Sequence, residues 1–65
     1  MLVLATQAEY EKILHNPAIS LVEKKVWRKG NFRSSIVCEG VVIAMRMTGK
    51  VDNYFKVDRT YLDIK

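Results

Sequence analysis

"FRSSIVCEGVVIAMRMT", residues 32–48, is an unbroken stretch dominated by β-branched and apolar side chains, with no proline in it. As one strand it would be about three times the usual length of five or six residues. Glu39-Gly40 is the one place where it can reverse, because glycine takes positive φ without steric cost. Breaking it there predicts a hairpin of two strands, with Gly40 alternatively marking a bulge.

Turn and strand signals flank this stretch on both sides. Before Phe32 stands Gly30-Asn31, a two-residue turn signal, and before that "AISLVEKKVWRK", residues 18–29, rich in strand formers. After Thr48, "GKVDN" at 49–53 reads as a loop and "YFKVDRTYLDI" at 54–64 as a last strand. The N-terminal "MLVLA" is apolar without alternation, which predicts a short strand buried on both faces or a terminus tucked into the core. Thr6 and Glu9 match a capping box, and they predict a helix over 7–15 with Tyr10, Ile13 and Leu14 on its apolar face. Asn16-Pro17 ends it, since proline disfavours helical geometry in the residue before it. The fold class expected is α+β, with one short N-terminal helix packed on a small antiparallel sheet of four to five strands, residues 1–65 forming a single domain.

Two tight turns set a trial register. Position 29 then faces 32 and position 38 faces 41, and directly paired residues share a face. One face collects Ile19, Leu21, Trp27, Phe32, Ile36, Cys38, Val41, Ile43, Met45 and Met47, which the helix would cover. Glu23 and Lys25 fall there too, against the pattern. The opposite face carries Val22, Lys24, Val26, Arg28, Arg33, Ser35, Val37, Val42, Ala44 and Arg46. Arg28, Arg33 and Arg46 form a row across three strands, and like charges placed opposite one another destabilise a sheet. An anion should offset them. Asp58 on the last strand is the internal candidate, and an external phosphate or acidic surface is the other.

Composition sharpens that choice. Eleven Lys and Arg stand against seven Asp and Glu, for a net charge of +4. Residues 1–23 hold three acids and one lysine, whereas residues 24–65 hold ten cations and four acids. "KKVWRKGNFR", 24–33, has five cations, Trp27 and Phe32, and no acid. Such asymmetry points to a polyanion or an acidic protein surface. Arginine forks suit phosphate geometry in a way lysine does not. The anion-binding residues expected are Lys24, Arg28, Lys29, Arg33, Arg46, Lys50 and Lys56. Trp27, Phe32, Tyr54, Phe55 and Tyr61 are the aromatics able to stack on bases, though the register assigns Trp27 and Phe32 to the core side.

Catalysis and metal binding find little support. Cys38 is the only cysteine and His15 the only histidine, so an internal disulfide is impossible and a structural zinc site is not expected. No third group orients them as nucleophile and base. The glycines are spaced as turns, and the carboxylates show no metal-ligand spacing; no cofactor is expected. The longest apolar run, "VVIAM" at 41–45, is far below the roughly 20 residues of a membrane-spanning helix, and the N-terminus lacks the pattern of a secretory signal. A lone thiol suits a reducing compartment, and the location expected is cytoplasmic.

The function expected is that of a small non-enzymatic module binding nucleic acid through a basic sheet face. The alternative is a small protein-binding inhibitor or adaptor, of the kind viruses and plasmids encode, that occupies an acidic surface of a partner. "MLVLA" also offers a sheet edge for pairing with a second copy.

Overall fold

The computed structural model describes residues 1–50 and 53–64. The chain folds as one helix on a five-stranded antiparallel sheet, the α+β arrangement expected. The elements are β1 (Leu2–Ala5), α1 (Gln7–Leu14), β2 (Val22–Arg28), β3 (Asn31–Cys38), β4 (Val41–Thr48), β5 (Asn53–Asp58) and a 3-10 helix, η1 (Arg59–Asp63). The sheet order is β1-β5-β4-β3-β2, so β1 and β2 form the two edges. Successive chain segments therefore sit at opposite edges. Four strand spacings of about 4.8 Å must be crossed between them. An eight-residue helix covers about 12 Å of that distance, and residues 15–21 cover the rest. Crossing over one face leaves the other without a layer.

The helix begins as its capping box requires. Thr6 Oγ1 accepts from the Glu9 backbone N–H at 3.2 Å, and Glu9 Oε1 accepts from the Thr6 backbone N–H at 3.0 Å. His15 is the C-cap. Asn16 Oδ1 then accepts from the Ala18 N–H at 2.9 Å, which turns the chain at Pro17. Tyr10 and Ile13 are buried, as their spacing predicts, together with Ile19, Ile36, Ile43, Ala44, Val57 and Leu62.

Both tight turns have positive φ at two consecutive residues: Lys29 (46°) and Gly30 (83°), then Glu39 (51°) and Gly40 (81°). This left-handed pair matches the twist of the strands that it joins. The second turn lies where the sequence indicates. The first is one residue earlier than Gly30-Asn31, and it pairs Arg28 with Asn31 and Trp27 with Phe32. A second correction comes within β4. Cys38 pairs with Val41 and Val37 with Val42 as expected, but Ile36 pairs with Ala44. Ile43 is thus an extra residue, a bulge, and both Ile43 and Ala44 point into the core. Beyond it every side chain of β4 changes face. Met45 and Met47 leave the helix side, and Arg46 enters it.

Three other expectations are corrected. β1 is an edge strand with Leu4 70% exposed, not a strand buried on both faces. The strand expected over 18–29 begins only at Val22, because Ile19 turns into the core after Asn16. The last strand stops at Asp58, whose carboxylate accepts from the Thr60 N–H at 3.1 Å and starts η1. Of the loop expected over 49–53, Val51 and Asp52 lie outside the described residues; the Gly49 N–H donates to Asn53 Oδ1 at 3.3 Å.

Candidate functional site

The face opposite α1 carries no other element among the described residues, and register alone specifies its composition. One ladder runs Lys24, Ser35, Met45, Lys56, Leu4 across all five strands. The next, toward the β2–β3 turn, runs Val26, Arg33, Met47, Tyr54. Arg28 and Asn31 follow at the hairpin end. On the other side of the first ladder lie Val22, Val37 and Val42, with Asp58 and Leu2 at the far edge.

Four cations, Lys24, Arg28, Arg33 and Lys56, therefore share this face with Asp58 alone among the described acids on these strands. Asp58 is not available to them. It pairs with the N-terminal amine at 3.5 Å and accepts from Thr60, and its carboxyl is held below the ordinary 3.8 chiefly by that Thr60 backbone bond. It does not neutralise an arginine row. The row itself is absent: Arg33 lies between Val26 and Met47, Arg28 opposite Asn31, and Arg46 opposite Ser34 on the other face. Arg28 and Arg33 remain diagonal neighbours. Neither has an ion-pair partner among the described residues.

Arg28 and Arg33, with Asn31, Val26 and Met47, line an open depression of about 210 Å³. Its polar rim is two guanidinium groups and an amide, all donors toward an anion, and its apolar wall is a valine and a methionine. Further along, the Lys56 ammonium lies over the Tyr54 ring, 5.3 Å from its centre. Of the other expected residues, Lys29 sits at the β2–β3 turn and Lys50 in the loop after β4, both exposed.

The helix side has its own polar feature. Tyr10 Oη donates to Ser34 Oγ at 3.2 Å, and Ser34 Oγ donates to Glu23 Oε2 at 2.7 Å. Ser34 is fully buried, and this chain satisfies it. Glu23 on the core side is thus an acceptor that the core needs, not a break in the pattern. Arg46 lies half-buried opposite Ser34, 6.0 Å from the Tyr10 ring centre and 5.5 Å from that of Phe32. Its Nε is buried without a hydrogen-bond partner among the described residues.

Aromatic placement divides between the faces. Phe55 packs against Tyr10 with ring centres 5.3 Å apart, and Tyr61 packs against the core. Tyr54 takes the uncovered face. Trp27 lies on the helix side as the sequence indicates, yet it is 73% exposed because the helix does not reach it. Cys38 is half-buried against the core, and His15 is exposed at the end of α1. Among the described residues no three His, Cys, Asp or Glu side chains cluster in a way that would hold a metal. No helix among them is long and apolar enough to cross a membrane.

The residues that sequence reasoning missed are Met45 and Met47, which floor the uncovered face. The bulge at Ile43 hid them. Tyr54, one of the aromatics expected to be able to stack on bases, lies beside them, and its alternation with Phe55 places the two rings on opposite faces. No family model matches the chain, and no curated protein or solved structure matches it either.

Proposed function

We propose that the chain is a non-enzymatic binding module that holds nucleic acid on its uncovered sheet face. One observation carries this reading: Lys24, Arg28, Arg33 and Lys56 share a face whose one described acid, Asp58, is already engaged by the N-terminal amine and Thr60. Phosphate is the ligand that guanidinium forks bind with two parallel hydrogen bonds. Between the cations lie Tyr54, Met45, Met47 and Val26, flat or pliable groups against which sugars and bases can lie. A lone thiol on β3 suits a reducing compartment, and we place the module in the cytoplasm.

Binding of short single-stranded DNA and RNA, measured by anisotropy at two salt concentrations, tests this. Each phosphate contact releases condensed counterions, so affinity should fall steeply with salt. Arg28→Gln and Arg33→Gln should each weaken binding and lower the salt slope by about one. Binding that is absent at low salt, or indifferent to salt, overturns the reading.

A second reading rests on a different property of the same face. Val22 and Val42, joined through Val37 on one ladder, are 61% and 41% exposed, and exposed apolar area of this kind marks protein contacts. Under it the module is a small inhibitor or adaptor on an acidic protein surface, or pairs with a second copy through the outer edge of β1. Arg33→Gln would then show its effect partly as slower association with the acidic partner.

A further inference from the structure

The helix side of the sheet is not covered along its whole length. Tyr10 meets the ladder Lys25, Ser34, Arg46, Phe55, and the next ladder, Trp27, Phe32, Thr48, lies beyond it. Here Trp27 and Phe32 have ring centres 4.8 Å apart at 48°. Arg46 lies over Phe32, and Tyr10 lies next to Arg46. The result is a row of ring, ring, guanidinium and ring in successive contact, open at the end formed by Trp27.

An indole that is 73% exposed leaves a large apolar ring in water, and burying it against a flat partner is favourable. The charge around it specifies the partner. Lys25 precedes Trp27 by two residues on the same face, Lys29 stands at the adjoining turn, and Arg28 and Arg33 lie just behind on the uncovered face. The one acid on this side of β2, Glu23, is occupied by the Ser34 hydroxyl and lies 3.8 Å from the Lys25 ammonium. A flat aromatic site ringed by cations matches a polymer in which flat rings alternate with anions.

Resting on the reading of the uncovered face as a nucleic-acid surface, we propose that Trp27 is the stacking platform for an unpaired base. The ligand is single-stranded nucleic acid that bends over the tip of the β2–β3 hairpin, its phosphates on Arg28 and Arg33 behind and on Lys25 and Lys29 beside the indole. Duplex, whose bases stay stacked in pairs, does not present a ring to this site.

Trp27 is the only tryptophan, so its fluorescence reports on this site alone. The probes are a thymidine 12-mer and a 12-mer of the same phosphates with every base removed, each end-labelled for anisotropy, at low salt. Both should bind with a salt-dependent affinity, but only the thymidine strand should quench Trp27. Trp27→Ala should weaken the thymidine strand roughly five- to a hundred-fold and leave the abasic strand unchanged, while Trp27→Phe should keep most of the affinity. Circular dichroism of both variants confirms that the fold is retained. Salt-dependent binding of the thymidine strand with no quenching and no effect of Trp27→Ala overturns the stacking site and leaves the phosphate surface standing. Failure of both strands to bind overturns the two together.

Discussion

Ile43 decides which residues meet solvent on the far side of the sheet. As the extra residue opposite Ile36, it lets two successive side chains, Ile43 and Ala44, enter the core and turns Met45 and Met47 outward. Its own side chain is fully buried. Ile43→Ala should therefore cost on the order of 2–5 kcal/mol, a large share of the stability of so small a domain, read as a drop in chemical-denaturation midpoint. The β3–β4 turn also depends on single residues. A Cβ on Gly40 would meet nothing within 4 Å, so space does not require glycine there; its φ of 81° does. Gly40→Ala should destabilise by about 1–2 kcal/mol, and Glu39→Asn, easing a φ of 51° at the preceding position, should stabilise the fold in the same denaturation experiment. The positions of the aliphatic core residues Ile36 and Ile43 could be read from alternation alone. The faces of Met45, Arg46 and Met47 could not, because side chains on a strand have a period of two and a slip of one residue exchanges every face beyond it. Nothing in "VVIAM" marks Ile43 rather than its neighbours as the extra residue.

Two short elements close the covered side, and each is held at its start by a carboxylate. Glu9 accepts the Thr6 backbone N–H and pairs with Arg59 at 3.0 Å, so it ties α1 to η1. Its carboxyl is held below the ordinary 4.5, first by the Thr6 backbone bond and then by Arg59. Asp58 is likewise held below its ordinary 3.8, first by the Thr60 backbone bond. A carboxylate whose folded value is depressed adds stability above its unfolded value and loses it as pH falls through the folded one. The melting temperature should thus be level from pH 7 to about 5 with respect to these groups and fall below about 4.5. Glu9→Gln should lower it at pH 7 and make the acid decline shallower; an equally steep decline in that variant would show that Glu9 does not contribute. The capping box made α1 legible, since it is a local pattern with a local physical cause. η1 was not legible: "YFKVDRTYLDI" reads as strand, and only the hydrogen bond from Thr60 to Asp58 shows where the strand stops.

At the scale of the whole molecule, the chain's charge asymmetry becomes a geometric one. β1 and β2 lie at opposite edges, α1 crosses one face between them, and the other face is left to water with Lys24, Arg28, Arg33 and Lys56 upon it. The basic half was legible from composition, and so were the strand positions of Lys24, Arg28 and Arg33. The arginine row was not, because it depended on two registers: Arg28 pairs two residues from Arg33, with Asn31, and Arg33 pairs one residue from Arg46, with Met47. That pairing also changes an energetic expectation. Arg33 lies between Val26 and Met47, so Arg33→Gln relieves no direct pair of like charges, and its effect should appear in binding rather than in stability. The most direct measurement is an amide and methyl NMR titration of the intact chain with single-stranded oligonucleotide at low salt. Shifts should concentrate on Lys24, Val26, Arg33, Ser35, Met45 and Met47, leave Ile13 and Leu62 in place, and reverse on adding salt. Shifts confined to α1 and η1, or none at a saturating concentration of oligonucleotide, would contradict the assignment of the uncovered face as the binding surface.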